Sequence, residues 1–336
     1  MQTAYVTQGA RTLERVRVPI PTPGDGEVLL KIAAVGICGS DHHIYLGRHP
    51  YVKYPIIQGH EFCARIEQYG DGCDQRLPVG SQVVVEPLIR CGNCYACSQG
   101  RYNCCENLKL VGVHSQGGFQ EYLVVPEILL HDAQDLPVNV AAFAEPLSIA
   151  MQACRRGRVS ADDHVLILGA GPIGLAAVIA CKRLGAQVAI SDLVPSRLEK
   201  AAKLGADLVF HAANDSPERI RDWSNGGVTV VLDAVAVAPA SQMGVDVLRA
   251  AGRLVMIGIS KQDLPIPIST IVGKEIDVLG SRNSAQLFAE AVAALHGIED
   301  KIEDLVRTVD GIDSLPEMMD YTIEHPQDVE KVVIKI

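Results

Sequence analysis

Hydrophobic and polar positions divide the chain into two regions whose texture changes near Ser148. Before that residue, short apolar segments are separated by Gly and Pro, and we expect strands over 28–34, 62–68, 82–86 and 119–125. The first of these segments mixes alternation with a continuous apolar run, which is typical of a barrel-like antiparallel sheet. Helical periodicity is scarce here, so the pattern predicts a β-rich first domain.

After residue 148, apolar strands alternate with helices roughly every 25 to 30 residues, which predicts βαβ units around a parallel sheet. The expected strands are 165–168, 188–191, 208–210, 228–233, 254–257 and 276–279, and the expected helices are 173–184, 196–204, 217–223 and 240–250. Six strands with such crossovers describe a doubly wound dinucleotide-binding fold.

A further helix (285–296) and a closing strand (330–336) follow, and we expect the strand to return to the sheet of the first domain. The predicted domains are therefore 1–149 together with 283–336, and 150–282.

A glycine-rich turn joins the first strand of the second domain to its first helix. It has the pattern G-x-G-x-x-G, and its candidate cofactor-binding residues are Gly169, Gly171, Pro172, Ile173 and Gly174. In this context the first glycine makes the tight turn, the second admits a pyrophosphate, and the third packs helix against strand. The helix N-terminus offers unpaired N–H groups to the anion. We therefore expect a dinucleotide to bind here.

The second strand of this domain ends at Asp192, 18 residues beyond Gly174. A carboxylate at this point accepts hydrogen bonds from both ribose hydroxyls and repels a 2′-phosphate, which favours NAD over NADP. Arg197 is a candidate to stack on adenine or to pair with a phosphate, which leaves that preference open. A helix-capping or solvated aspartate is the alternative interpretation of Asp192.

The strongest single motif is Cys-x2-Cys-x2-Cys-x7-Cys, formed by Cys91, Cys94, Cys97 and Cys105. Four thiolates at this spacing predict a closed tetrahedral zinc site, which organises a loop too poor in apolar residues to fold alone. Cys104 is the alternative fourth ligand. An iron–sulfur or rubredoxin-like iron site is disfavoured by the uneven spacing, and a nucleic-acid zinc ribbon by the lack of a basic, aromatic-rich face. We expect a structural zinc.

Four further donor residues come from distant segments: Cys38, His60, Glu61 and Glu145. A thiolate, an imidazole and one or two carboxylates predict a mixed-ligand zinc site, which keeps a position open for water or substrate. Zinc there lowers the pKa of an alcohol as a Lewis acid, so that hydride leaves the carbinol carbon for a nicotinamide. Singly, Cys38 or His60 would more often be a core residue, but beside a dinucleotide fold the set predicts a catalytic centre.

A proton path is also expected beside this centre. Ser40 and His43 lie two and five residues past Cys38, in a segment that turns into a helix. The Ser40 hydroxyl would pass the substrate proton through the cofactor ribose to His43, whose imidazole titrates near operating pH. His42 is the solvent-facing alternative to His43.

Composition narrows the classes of function. The chain has 336 residues and a net charge of −10, from 40 acidic and 30 basic residues, which argues against a nucleic-acid binder. The start lacks the apolar core of a signal peptide, and glycines break the longest apolar run, 165–181, so no membrane segment is expected. We expect a cytoplasmic protein that keeps its ten cysteines reduced, which makes metal binding the better explanation for their number.

Together these residues resemble the zinc-containing medium-chain dehydrogenase/reductase superfamily, over essentially the whole chain. The resemblance implies an α/β protein: a GroES-like β-rich catalytic domain, a Rossmann domain with a six-stranded doubly wound parallel sheet, and a return to the first domain. It assigns Cys38, His60 and Glu61 as catalytic ligands, Glu145 as the exchangeable fourth ligand, and the proposed serine–histidine pair as the proton relay. It further implies two zinc ions per chain, NAD, and a homodimer or homotetramer.

Within that superfamily, Gly-His-Glu followed later by Glu-Pro-Leu-Ser is similar to the polyol and threonine dehydrogenase branch. The stretches 102–107 (YNCCEN), 111–119 (VGVHSQGGF) and 280–283 (GSRN) look most like bacterial sugar-acid dehydrogenases, which act at C5 of L-galactonate or L-gulonate. The resemblance implies that Arg282 approaches the cofactor or a substrate carboxylate, with a surface salt bridge as the alternative. It also makes His114 a candidate substrate contact.

Three functions are compatible with these residues. The first is a zinc- and NAD-dependent dehydrogenase that oxidises a secondary hydroxyl of a small sugar acid or polyol to a ketone. The second is an L-threonine 3-dehydrogenase or a sorbitol-type polyol dehydrogenase, which shares the ligand set. The third is a catalytically silent NAD-binding scaffold, whose hallmark would be a broken ligand set, and none of Cys38, His60 or Glu145 is missing.

Overall fold

The structure, a computed structural model, describes residues 1–264, 266–327 and 331–336. The chain forms two compact units, one made of Met1–Glu145 with Phe288–Ile336 and the other of Pro146–Leu287. Within the described residues, no helix has both the length and the apolar character needed to cross a bilayer.

The first part of the first unit is built mainly from strands, with a few short helices between them. In chain order they are β1 (Gln2–Gly9), β2 (Thr12–Val18), β3 (Glu27–Ile37), α1 (Gly39–Tyr45), β4 (Glu61–Tyr69), β5 (Gln82–Val85), β6 (Leu88–Ile89), α2 (Tyr95–Ser98), β7 (Lys109–Leu110), β8 (Tyr122–Pro126), β9 (Leu130–Asp132) and α3 (Val138–Ala141). The β1–β2 hairpin was not expected, because charged residues interrupt the apolar alternation of β2.

The second unit alternates strands and helices, as the apolar pattern predicts. Its elements are α4 (Ala144–Arg156, which starts in the first unit), β10 (His164–Leu168), α5 (Pro172–Arg183), β11 (Gln187–Asp192), α6 (Pro195–Leu204), β12 (Leu208–His211), α7 (Glu218–Trp223), β13 (Val228–Asp233), α8 (Ala238–Val247), β14 (Leu248–Met256), α9 (Ile268–Lys274) and β15 (Asp277–Gly280). The six strands are parallel in the order β12-β11-β10-β13-β14-β15, which confirms the doubly wound sheet.

One predicted helix boundary in this unit was wrong. The helix expected over 240–250 ends at Val247, and Leu248 already has extended backbone and pairs with Val228. Ala251 then adopts a positive φ of 57°, which a helix cannot contain. The alanines and leucine of this stretch fit a helical pattern equally well, so local sequence did not reveal that the strand starts early.

The chain then returns to the first unit through α10 (Phe288–Leu295), α11 (Glu299–Glu303), β16 (Val306–Asp310), α12 (Leu315–Glu324) and β17 (Lys331–Lys335). The strand β17 pairs antiparallel with β3, so the predicted return to the first sheet is confirmed, while Glu330 lies outside the described residues. The sheet has the order β16-β17-β3-β4-β5-β9, with β8 also paired to β3. The central strand β3 thus has β17 on one side and β4 on the other.

Burial along β3 explains why it is central. Val28, Leu30 and Ile32 are almost fully buried and pack with Phe62 and Ile66 of β4 in one apolar cluster. Beyond Ile32 both faces of β3 become apolar, as expected for a strand covered on both sides. Its far end leads directly into α1, which positions the first candidate ligand.

Candidate metal centres and dinucleotide turn

One thiol, one imidazole and one carboxylate converge in the first unit. Cys38, His60 and Glu61 each offer one ligand atom, and these atoms all lie within 4.8 Å of one another. Cys38 is the residue before α1, and Glu61 begins β4 directly after His60. The register of β3 against β4 places Gly36 opposite Glu61, so strand pairing brings the two distant segments together.

Asp41 supports this group, although the sequence reasoning did not single it out. Its carboxylate accepts hydrogen bonds from the backbone N–H of Cys38 (2.9 Å) and from that of Gly59 (3.3 Å), so it ties together the two segments that carry the donors. The side chain of Gln58 donates to the same carboxylate over 3.2 Å. An acidic residue three positions after Cys38, in the first turn of a helix, was the available signal.

Burial changes the protonation of the acidic groups in this cluster. Burial, together with the charge of Glu61, raises the pKa of the Cys38 thiol to about 12, and Lys331 opposes the change. Burial likewise raises the pKa of Glu145 to about 8, with His60 acting against it and Glu61 adding to it. Several acidic groups are thus crowded in a buried place where their charged forms are disfavoured. A divalent cation removes that penalty, so the donor set fits zinc.

Glu145 lies close to the group of three but outside it. It is the second residue of α4 and only 7 % exposed, and the charges of His60, Glu61 and Cys38 act on its pKa. The compact donor set contains the other three residues.

The two histidines of α1 differ in exposure. His43 is exposed, whereas His42 is half-buried with Nε2 2.8 Å from the Thr322 hydroxyl, so the expectation that His42 is the solvent-facing one was wrong. Burial lowers the pKa of His42. The Ser40 hydroxyl lies 3.4 Å from Nε2 of His60, beside the donor cluster.

The four-cysteine motif also closes into a cluster. The sulfur atoms of Cys91, Cys94, Cys97 and Cys105 lie within 4.8 Å of one another, and this set contains Cys105 rather than Cys104. A short α-helix, Tyr95–Ser98, and a 3₁₀ turn, Tyr102–Cys104, bring the chain back on itself. The cluster fits a structural zinc site.

Backbone N–H groups point at two of these sulfurs. Those of Asn93 and Cys94 lower the pKa of the Cys91 thiol to about 6, and those of Glu106 and Cys97 lower the pKa of Cys94. Such bonds stabilise thiolates, which are the form that binds metal.

The glycine turn of the second unit has the geometry expected for a dinucleotide. Gly169 has a positive φ of 91°, and a Cβ on Gly174 would lie 1.8 Å from the Gly169 carbonyl oxygen. A Cβ on Gly171 would meet no atom within 4 Å, so open space lies there for a ligand. Pro172 is the first residue of α5 and Ile173 the second.

Asp192 ends β11, and both of its carboxylate oxygens accept backbone hydrogen bonds, from Ala170 (2.6 Å) and from Val194 (2.9 Å). It therefore shapes the glycine turn as well as standing at the expected ribose position. Arg197 is half-buried in α6, and Arg282 is exposed after β15. In the first unit, His114 is exposed, and its Nδ1 accepts a hydrogen bond of 3.0 Å from the Leu110 backbone N–H.

Comparisons with known proteins identify domains in both parts of the chain. Residues 24–135 match the alcohol dehydrogenase GroES-like domain, and residues 172–297 match the zinc-binding dehydrogenase domain. The L-galactonate-5-dehydrogenase of Escherichia coli is 39 % identical over 79 % of this chain and 78 % of its own. The L-threonine 3-dehydrogenase of Thermococcus kodakarensis is 35 % identical over 83 % of this chain and 82 % of its own.

A solved structure has the same fold over the whole chain. A crystal structure of an alcohol dehydrogenase from Escherichia coli, in complex with NADH, superposes with a TM-score of 0.93 at 31 % identity, covering 100 % of this chain and 99 % of that one.

The fold and the two cysteine-containing clusters define a zinc-binding oxidoreductase. The chain belongs to the zinc-binding alcohol dehydrogenase family, in its zinc-type polyol and sugar-acid dehydrogenase group.

Proposed function

We propose that this protein is a zinc- and NAD-dependent dehydrogenase that oxidises a secondary hydroxyl of a sugar acid, with C5 of L-galactonate or L-gulonate as the preferred position. The observation that carries the proposal is the convergence of Cys38, His60 and Glu61 within 4.8 Å, in a chain that also has a dinucleotide turn. The reaction converts the alcohol and NAD⁺ to a ketone, NADH and one proton.

Cys38, His60 and Glu61 hold the metal, and three protein donors leave a position for the substrate hydroxyl. Zinc bound there supplies Lewis-acid polarisation of that hydroxyl. Glu145, buried next to the group, is the carboxylate available to exchange with a ligand.

Ser40 and His43 carry the proton away. The Ser40 hydroxyl, 3.4 Å from the ring of His60, would accept the substrate proton at its oxygen and pass its own proton on toward the imidazole of His43. His43 is exposed on the same helix, so its ring exchanges the proton with bulk water.

The dinucleotide turn 169–174 binds the pyrophosphate of NAD at the start of α5. Asp192 favours NAD over NADP through the ribose hydroxyls. Arg197 serves the adenine end of the cofactor, and Arg282 serves the cofactor or the substrate carboxylate.

Sugar-acid specificity is supported by the relative named L-galactonate-5-dehydrogenase and by the segments 102–107 and 111–119. His114 belongs to the second segment and is exposed, so we assign it to substrate contact. Since a relative named L-threonine 3-dehydrogenase matches a similar share of the chain, oxidation of L-threonine is the second candidate.

A substrate panel tests the proposal. Purified protein, loaded with zinc and given NAD⁺, is assayed for NADH formation with L-galactonate, L-gulonate, sorbitol and L-threonine. We expect the highest kcat/KM with one of the two sugar acids and about two zinc ions per chain. Turnover of L-threonine alone would replace the sugar acid, and a single zinc lost only on unfolding would favour a non-catalytic scaffold. Cys38→Ser is the matched control, because it removes one donor and keeps the four-cysteine lobe.

The protein is further proposed to form a homodimer or homotetramer. The strand β15 ends the order of the six-stranded sheet, with Val278 45 % exposed, and Ile268 and Val272 of α9 are 78 % and 72 % exposed. Light scattering during size-exclusion chromatography tests this, and a monomer at micromolar concentration would contradict it.

A further inference from the structure

A lysine lies inside the candidate metal centre, and neither the motif nor the proposed reaction uses it. The side chain of Lys331, on β17, is only 3 % exposed, and its Nζ contacts Oε2 of Glu61, which is 1 % exposed. Lysine is almost never fully buried unless it is paired. Its partner here is one of the three clustered donor residues.

Three neighbouring strands are shaped to allow this contact. The central strand β3 separates β17 from β4, and Gly36 of β3 is paired with Val333 on one side and with Glu61 on the other. A Cβ on Gly36 would lie 2.5 Å from Oε2 of Glu61 and 3.2 Å from Cε of Lys331. The φ of Gly36 is not positive, so this glycine is required for space rather than for conformation. It leaves the gap through which the lysine reaches the carboxylate.

The charges around the centre explain what the lysine does. Four acidic side chains, those of Cys38, Glu61, Glu145 and the fully buried Asp41, are gathered at this centre, so an ionised carboxylate there needs a positive charge close by. An uncompensated buried charge is strongly unfavourable. Lys331 supplies the balancing positive charge. Without metal, the Lys331 ammonium group is a cation in direct contact with the Glu61 carboxylate.

We propose that Lys331 is a positioning residue of the metal centre, which shares the Glu61 carboxylate with the metal, weakens zinc binding and stabilises the metal-free protein. A carboxylate has two oxygens, so one can pair with the ammonium group while the other faces the metal. This inference rests on the proposed function only in taking Cys38, His60 and Glu61 as metal donors.

The test compares Lys331→Met with Lys335→Met, a half-buried lysine on the same strand, in protein whose four-cysteine lobe is already loaded with zinc. Co²⁺ is titrated into the Cys38 centre and followed by its visible absorption. The Lys331 ammonium group competes with the cation for the Glu61 carboxylate, so we expect Lys331→Met to tighten Co²⁺ binding about tenfold or more and to change the absorption bands. The thermal unfolding temperature should fall more without metal than with it.

A second background separates positioning from packing. In Glu61→Gln, the lysine has no carboxylate to share, so adding Lys331→Met should leave Co²⁺ affinity and spectrum unchanged. The double variant also has no unpaired buried charge, and it therefore keeps the test usable if Lys331→Met alone fails to fold. Lys331→Arg should restore the affinity and spectrum of the unmodified protein.

The inference is overturned if Lys331→Met leaves the affinity and the spectrum unchanged, or lowers stability equally with and without metal. Failure of the proposed function has another signature, since Co²⁺ would then not bind at Cys38 even in the unmodified protein.

Discussion

The buried Nδ1 of His60 lies 4.0 Å from Oδ1 of Asp41, and Asp41 itself is fully buried. The same carboxylate accepts hydrogen bonds from the backbone on both sides of the donor cluster, at Cys38 and at Gly59. We predict that Asp41→Ala lowers zinc affinity at the Cys38 centre by about 10- to 100-fold, because the donors lose the group that orients them. Chelator competition measures this. Asp71→Ala, at an exposed position of the same unit, is the control, and equal affinities in the two variants would contradict the prediction.

The four-cysteine lobe gives a test within two adjacent residues. Cys105 belongs to the sulfur cluster and Cys104 does not. Cys105→Ser should therefore reduce zinc by one ion per chain and lower the thermal unfolding temperature, because the lobe depends on its metal. Cys104→Ser should retain the full zinc content. Metal analysis by mass spectrometry distinguishes the two cysteines. Zinc loss in Cys104→Ser would make Cys104, and not Cys105, the fourth ligand.

The dinucleotide turn offers a pair of variants that differ in space alone. Gly174→Ala should be destabilising, because its Cβ would collide with the Gly169 carbonyl. Gly171→Ala should keep the unfolding temperature but weaken NADH binding about tenfold, because its methyl group enters the open space where a pyrophosphate approaches. NADH fluorescence titration and thermal unfolding measure the two effects. Unchanged NADH affinity in Gly171→Ala would place the cofactor elsewhere.

Asp192 is predicted to set cofactor preference while also holding the turn. Asp192→Asn replaces one accepting oxygen by an amide, so one of the backbone bonds from Ala170 and Val194 is lost together with the charge. We expect the ratio of kcat/KM for NAD to that for NADP to fall about tenfold. Glu199→Gln, an exposed carboxylate on the following helix, should leave the ratio unchanged. A ratio that also stays constant in Asp192→Asn would assign discrimination to another residue.

Asp163 gives the second unit a defined dependence on pH. Burial alone would raise its pKa, but hydrogen bonds from Thr229, Ser160 and Arg253 outweigh burial and lower the pKa. A lowered folded-state pKa contributes stability above the unfolded value of about 3.9, and that stability is lost as pH falls through the folded value.

The unfolding temperature of Asp163→Asn should therefore be below that of the unmodified protein at neutral pH and should approach it below about pH 4. Asp162→Asn, one residue earlier and exposed, serves as the control and should follow the unmodified protein. A constant difference between Asp163→Asn and the unmodified protein over the whole pH range would refute the linkage.

Much of the fold is predictable from local patterns. The strands of the parallel sheet are continuous apolar runs, since both faces are covered, and such runs stand out between amphipathic helices. The cysteine spacing predicts the lobe because all of its donors lie within one short segment. Cys38, His60 and Glu61 were also identifiable, because each stands in a recognisable local motif.

The remaining features depend on contacts between distant segments. Lys331 begins a strand in which three apolar residues stand between two lysines, and its burial follows from the pairing of this strand with β16 and β3. His42 is shielded by Thr322, which lies 280 residues away, so its exposure could not be read from the helix that carries it. Local patterns predict the helices, the strands and the metal-donor residues, whereas the counter-charge of Glu61 and the exposure of His42 are set by contacts between distant segments.

The pairing of β17 with β3 separates the two metal centres in time during synthesis. All four cysteines of the lobe are available once residue 105 has left the ribosome, so that lobe can take up zinc while translation continues. The counter-ion of Glu61 is residue 331, which is translated only after the entire second unit. The Glu61 carboxylate is therefore synthesised long before its counter-ion, and the ion pair can form only once β17 has joined β3.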